Sequence, residues 1–537
     1  MDSNKNGNQF IDNRINHGMT GWNYRNCCYH CGIVPVSMAT QLDASVNQRF
    51  SSRLGLILSA MGIAVGTGNI WRFPRIAAQT GGEQGTGAFL IAWIIFLFLW
   101  SIPLIIAEYT LGKKHRSGVV GIFIKSLGKK SAWMGTFVAF VSTAITFFYT
   151  VVVGWCIFYF VHTLTHSLPL TAEASLDTWN TYQQSAWPFL THVLAIGLGA
   201  LAIWKGIRSI EKVNKILIPV LLVIVLLAVI RALTLPGALD GVAYLFRPEW
   251  SQLKEPRIWI AALTQNAFDT GAGWGLFLTY AAYMKAEHGT VKNAFLTGIG
   301  NNTVSLLSGV MIFGTVFAVL RAEMGMVDTA VLEVMKTSGP ASTGLTFIWM
   351  PQLFARMLFG SPLAVLFFLG LTFAGFSSLI AQLELPTRVL VDTGIKRPRA
   401  IWIMVAVVYL LGIPSARNLD LLSNQDFVWS IALMISGAFI AFAIIREGVR
   451  KLMQDINVTE RDWSVGAYWS LTIRLFIPLA AFILLFWWLY TAATVFAPGE
   501  WYNPLNPFSA MTCLLQWFLV TAIFVAFNRR IARKTIG

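Results

Sequence analysis

Residues 59–74 read SAMGIAVGTGNIWRFP, and residues 267–275 read AFDTGAGWG. Both stretches lie in long apolar runs, and both scatter glycine and small polar residues through a segment otherwise fit for lipid. Hydrocarbon offers no partner to a free backbone N–H or C=O. A helix crossing it therefore stays unbroken unless the released groups line a site. Two interruptions in corresponding places of two halves point to a secondary transporter that binds ions and substrate near the bilayer midplane.

Composition agrees. Of 537 residues, 56% are hydrophobic and only 12% are charged, far too few for the surface of a soluble chain of this length. The mean hydropathy is +0.62. About twelve membrane helices are expected. Their spans are 54–79, 86–111, 132–165, 188–205, 211–234, 256–285, 291–322, 361–392, 399–414, 425–446, 468–492 and 509–528. The fold class is therefore an all-α polytopic membrane protein. Helices 1–5 and 6–10, within residues 49–446, read as two inverted repeats, since helices 1 and 6 are both broken and an odd repeat reverses topology. Residues 447–528 add helices 11 and 12, and residues 529–537 form a basic tail.

The net charge of +15 would suggest nucleic acid in a soluble protein. Here the cations occupy short loops: Lys113 to Lys130, Lys205 to Lys215, Lys396 to Arg399, Arg446 to Lys451, and Arg529 to Lys534. The loop 168–186 holds Glu173 and Asp177 and no Lys or Arg. That asymmetry predicts a multi-pass protein of the plasma membrane (a bacterial inner membrane) with both termini cytoplasmic, lipid as its surroundings and no nucleic-acid partner. The first 48 residues are polar and aperiodic and are expected to be a disordered cytoplasmic segment, with Met38 opening a more ordinary leader. Cys27, Cys28, His30 and Cys31 are too crowded to wrap one tetrahedral metal, and Cys156 and Cys513 read as packed thiols. The outer loop from 322 to 360 carries two apolar-periodic stretches, around Val331 and Phe347, divided by Ser338-Gly339-Pro340. A long loop with its own helices suits a lid.

The stretch from Arg53 to Pro74 resembles the first helix of the neurotransmitter:sodium symporter family. The resemblance continues through Gly81-Gly82, Ile102-Pro103-Leu104, Tyr149, the helix 6 break, Asn301, Ala374-Gly375-Phe376-Ser377-Ser378 and Asp392. It covers nearly all the chain from Arg49 onward and suggests a bacterial member. It implies two sodium sites. The second takes carbonyls of Gly62, Val65 and Ala374 and hydroxyls of Ser377 and Ser378, which suits a hard cation; the alternative is that the two hydroxyls only bond back to their own helix. The first takes Ala64, Asn69, Asp269 and Asn301, with a substrate carboxylate completing it.

Asp269 departs from the family pattern, where a hydroxyl residue is usual. A carboxylate at midplane depth costs about 2.5–3.5 kcal/mol even on a lenient scale, so it belongs to function. Chloride-dependent members use a helix 2 tyrosine and a helix 7 serine, positions held here by Trp93 and Ser305. Asp269 could supply the negative charge that chloride brings elsewhere. It could instead carry a proton, or only hydrogen-bond.

The resemblance also implies a substrate site. Amides near Thr67 and Gly68, with the Tyr149 hydroxyl, would cradle a carboxylate. The Ala64 carbonyl and carbonyls near Phe268 and Asp269 would accept an ammonium. Gly66 replaces the aspartate of amine-carrying members, which favours a substrate with its own carboxylate. Ile63, Ile145, Phe268, Gly271, Trp274, Ser378 and Gln382 would surround its side chain; Gly271 opens space while Trp274 and Gln382 fill it, so size is not readable. Arg72 with Asp426 (Asp420 competing) would gate the outside, under a Phe268 lid, and Arg49 with Asp392 the inside. Glu108 and Glu384 read as structural. The expectation is a sodium-coupled amino-acid importer with sodium as the transported ion, no organic cofactor and no covalent chemistry, and with a homo-oligomer left open. The rivals are a proton-coupled amino-acid permease and a transporter-like sensor, which an extended signalling domain would mark.

Overall fold

Residues 49–336, 344–458 and 462–536 are described by the structure, a computed structural model. Cys27 to Cys31, Met38, Ser338-Gly339-Pro340 and the N-terminal segment as a whole lie outside them. Among the described residues every regular element is a helix. Eight are long and apolar enough to cross a bilayer alone: Gly87–His115 (α2), Lys129–Thr165 (α3), Ile207–Leu233 (α5), Val291–Arg321 (α7), Gly360–Asp392 (α8), Arg397–Arg417 (α9), Leu419–Glu447 (α10) and Ala467–Phe496 (α11).

Three more qualify only as bent pairs. Arg53–Ala64 (α1a) and Gly68–Thr80 (α1b) meet at 50°, Ala172–Gln184 joins Trp187–Ile203 (α4) at 74°, and Ala510–Ala526 (α12) joins Asn528–Thr535 at 61°. The twelfth span is the broken pair Pro256–Asp269 (α6a) and Leu276–Ala281 (α6b). Its two pieces are too short to qualify separately, which is what a midplane break does to a span. The expected spans match the observed ones within several residues. The outer loop holds Asp328–Lys336, Gly344–Trp349 and Met350–Ala355, with Val331 and Phe347 buried. Cys156 and Cys513 are buried free thiols, as expected.

The two breaks have different local causes. In α1 the chain leaves the helix at Val65 (φ −80°, ψ 99°), and the Asn69 side chain captures the released Gly66 N–H at 2.8 Å. An asparagine oxygen thus replaces a backbone carbonyl, and the helix restarts at Gly68, three residues after Val65. In α6 the turn runs through Gly273 and Gly275, at φ +89° and +80°. L-residues rarely adopt that left-handed region, and glycine enters it freely. The freed amides of this second break are taken by Glu108 of α2, which accepts the N–H of Gly273 at 2.6 Å and of Leu278 at 3.2 Å. Glu108 is fully buried, and its structural reading is refined here: it caps the N-terminus of α6b, where an anion is favoured. Glu384 is likewise buried, bonded to Tyr283 at 2.8 Å and ion-paired with Arg397.

Candidate substrate and ion site

The two breaks face one another across a narrow cavity of about 20 Å³. That is room for about one water, so its walls must part for anything larger. Ile63, Ala64, Gly66, Gly68, Asn69, Tyr149, Phe268, Asp269, Gly271, Trp274, Ser378 and Gln382 all line it, each read from the sequence as a site residue.

At its centre lies a chain of buried polar groups. The Asn69 amide donates to Asn301 Oδ1 at 2.8 Å and to Ser305 Oγ at 2.7 Å. Ser305 Oγ in turn donates to Asp269 Oδ2 at 3.1 Å. The other carboxylate oxygen, Asp269 Oδ1, has no hydrogen-bond partner. It points at the α1 break, for a Cβ placed on Gly68 would lie 2.8 Å from it. A buried oxygen without a partner is costly unless something with positive charge answers it. Ala64, Asn69, Asp269 and Asn301 are thus gathered in one place.

The second oxygen cluster joins α1 to α8. Ser377 Oγ donates to Val65 O at 3.2 Å and to Ala374 O at 3.0 Å. Ser378 Oγ donates to Gly62 O at 3.2 Å and to Val65 O at 3.4 Å. Three carbonyls and two hydroxyls therefore converge, with no formal charge among them. The hydroxyls do more than bond back to their own helix, because three of these four bonds cross to α1.

Gly66 sits where no side chain fits. An added Cβ would approach Ser378 Oγ to 2.7 Å and the Tyr149 hydroxyl to 3.1 Å. That hydroxyl accepts from Thr67 Oγ1 at 3.3 Å and from the Thr67 N–H at 3.4 Å, so helix 3 reaches the amide end of α1b.

Several expectations need correction. Ile145 is fully buried and does not line the cavity, whereas Leu276 does. Ser142, one turn before Ile145 on α3, holds the Trp274 carbonyl at 2.5 Å, which puts the indole on the wall instead. Gly271 opens no space: at φ +69° it presses on Ile63, whose Cγ2 would lie 2.9 Å from an added Cβ. The expected Arg72–Asp426 pair is not an ion pair within 4.0 Å. The Arg72 guanidinium lies 4.3 Å from the centroid of the Phe268 ring, a cation–π contact, and Asp426 accepts from Ser430 Oγ at 2.5 Å. Arg75, one turn further on, lies close enough to both Arg72 and Asp426 to feel their charges.

At the expected inner gate Asp392 pairs with Arg388 at 2.8 Å, not with Arg49. The two are i and i+4 on one helix and meet without any tertiary contact. Arg49 stands instead beside Arg116, whose guanidinium burial and then this like charge hold below its usual pKa. The chain entering α1 is closed by other means. Phe50 is fully buried, with its N–H on Tyr283 O at 3.2 Å and its ring edge-on to Tyr280. Glu211 of α5 accepts from Ser51 N at 2.7 Å, Ser51 Oγ at 2.6 Å and Ser52 Oγ at 3.1 Å, and pairs with Lys215 at 2.8 Å.

Two further residues escaped the sequence reading. Asn214 of α5 is fully buried, has no partner for either amide atom, and would lie 3.1 Å from a Cβ on Gly62. Gln265, one turn before Asp269, is buried, with neither amide atom in a hydrogen bond of normal geometry, and lies close enough to act on the Asp269 carboxylate. Neither carries a motif: Asn214 stands between Lys212 and Lys215, and Gln265 between Thr264 and Asn266, so nothing in the sequence sets them apart.

A helical bundle whose two broken spans enclose oxygen-lined cavities defines a multi-pass membrane transporter of ions and small solutes. The chain belongs to the sodium:neurotransmitter symporter family, whose model matches residues 47–187 and 182–534. It is similar to an uncharacterised sodium-dependent transporter of Methanocaldococcus jannaschii, 31% identical over 79% of this chain and 86% of that one. It is 27% identical to the sodium-dependent transporter YhdH of Bacillus subtilis, over 81% and 96%. The sodium-dependent serotonin transporter of Drosophila melanogaster is 29% identical over 70% and 65%. Among solved structures, MhsT in complex with L-phenylalanine aligns with a TM-score of 0.71 and 29% identity, over 82% of this chain and 99% of that one. The protein is accordingly a sodium-coupled symporter and not an enzyme.

Proposed function

We propose that this symporter imports an amino acid, or a closely related small zwitterion, and that it does so without chloride. Sodium would occupy both oxygen clusters, favour the outward-facing state, and permit closure once substrate is bound. Both termini would face the cytoplasm, and the two sets of five helices would act as inverted repeats. The outer helices over residues 328–355 would serve as a lid.

The observation that carries this reading is the unpartnered Asp269 Oδ1 beside the α1 break. A fixed carboxylate there balances a cation in the first cluster and makes an added anion superfluous. Gly66 supports a substrate with its own carboxylate, because the crowding by Ser378 and Tyr149 leaves no room for an amine-pairing aspartate. The solved relative's complex with L-phenylalanine agrees with that class.

A proton-coupled permease would set a cation from helix 5 in place of the second sodium. The α5 side chain against Gly62 is the neutral Asn214, which favours sodium. Uptake into proteoliposomes under imposed sodium, proton and chloride gradients tests the reading. Sodium should drive uptake at full rate with chloride replaced by gluconate, and Asp269→Ser should create a chloride requirement. Loss of wild-type uptake without chloride, with Asp269→Ser unimpaired, would overturn it.

A further inference from the structure

We infer that the transported amino acid has a side chain with an apolar body and one neutral hydrogen-bond donor, received by the Gln382 amide. This rests on the amino-acid reading above and narrows it.

The cavity lining holds two chemically distinct sets of side chains. Asn69, Tyr149, Asp269 and Ser378 are each engaged with another polar group of the α1, α3, α7 or α8 framework. The remaining side chains are those of Ile63, Ala64, Phe268, Trp274 and Leu276, with Gln382 as the one further polar amide. Gln382 follows Ser378 by one helical turn, so α8 presents both on the same face.

Gln382 is 2% exposed, and its Oε1 is buried without a partner. Its neighbours on α8 are satisfied: Thr387 Oγ1 donates to Leu383 O at 2.7 Å, and Glu384 holds Tyr283 and Arg397. The polar atoms of Trp274, which shares the lining, are committed too. Trp274 Nε1 donates to Ala267 O at 3.2 Å, and its carbonyl accepts from Ser142. Besides Asp269 Oδ1, which faces the α1 break, Gln382 Oε1 is the unpartnered acceptor that this lining offers an incoming donor. A hydrocarbon side chain would leave that acceptor buried and unanswered, which a binding site penalises more heavily than it rewards an added contact.

Matched pairs differing by a single donor test the inference at any substrate size. The pairs are threonine against valine, tyrosine against phenylalanine, and tryptophan against its benzothiophene analogue, in which sulfur replaces the N–H. Each competes for sodium-driven uptake of a radiolabelled amino acid into proteoliposomes, after a twenty-amino-acid panel has found one that is carried. In whichever pair binds, the donor-bearing member should compete about tenfold better or more. Gln382→Leu should collapse that ratio toward one or invert it, and Gln382→Glu, still an acceptor, should keep it. Equal competition within the pair that binds, or a ratio unmoved by Gln382→Leu, overturns the assignment of Gln382. If sodium drives uptake only of amino acids outside these pairs, the amino-acid reading stands and this inference falls. If sodium drives uptake of none of the twenty, both fall.

Discussion

Glu108, on α2, accepts the backbone N–H of Gly273, in the α6 break, at 2.6 Å. The geometry of the second break therefore depends on a side chain from another span. Replacing Glu108 by alanine leaves two amides buried and unpaired, at about 1–3 kcal/mol each. Glu108→Ala should lower the unfolding temperature in detergent and abolish sodium-driven uptake. Glu108→Gln keeps one acceptor and should fall between. Normal uptake by the alanine variant would show that the glycine turn holds itself.

Gly66 has no space for a methyl group, with Ser378 Oγ at 2.7 Å and the Tyr149 hydroxyl at 3.1 Å from the added carbon. Gly66→Ala should weaken substrate binding by about tenfold or more, through displaced contacts rather than lost ones. Equilibrium binding with labelled substrate at saturating sodium measures it. Unchanged affinity would place the substrate elsewhere.

The Ser377 and Ser378 hydroxyls converge on α1 carbonyls, and the described lining of the adjoining cavity includes no Lys or Arg. The double variant Ser377→Ala, Ser378→Ala should raise the sodium concentration for half-maximal uptake by about tenfold, since each hydroxyl is an oxygen ligand. Asn214→Lys should make sodium dependence less steep by supplying a fixed ammonium against Gly62. If sodium dependence is unaltered in both, the serines merely fasten α8 to α1.

Glu211 ties residues 51 and 52 to α5, and its loss should loosen the inner closure. With Cys27, Cys28 and Cys31 replaced by serine, a Leu56→Cys reporter is buried in the closed form. Glu211→Gln should speed its alkylation from the cytoplasmic side by about tenfold, as weakened charge-assisted bonds shift the population. No change in rate would assign closure to Phe50 alone.

What the sequence could announce was whatever depends on the chain's own spacing. The α1 break is written in Gly62, Gly66 and Gly68 with Asn69, and the α6 break in three alternate glycines, so both were readable. So was the gathering of Asp269, Asn301, Ser377 and Ser378, through family pattern. Charge pairing was not, because it depends on which of several partners lies nearer in space. Arg72 found the Phe268 ring, and Arg49 came to rest beside Arg116; the Asp392–Arg388 pair is the exception, an i,i+4 spacing that the sequence does show. Gly271 was read as vacant space because its neighbour Ile63 comes from another helix. Asn214 and Gln265 carry no spacing signal, and only their unanswered amides in three dimensions single them out.

The Glu108 carboxylate has a mechanical corollary. An added carbon at Gly112, one turn further along α2, would strike the Leu278 carbonyl at 2.4 Å, so the two backbones touch there. Bonded at one level and abutting at the next, α2 and α6b form one packed unit, so bending between them would cost both contacts.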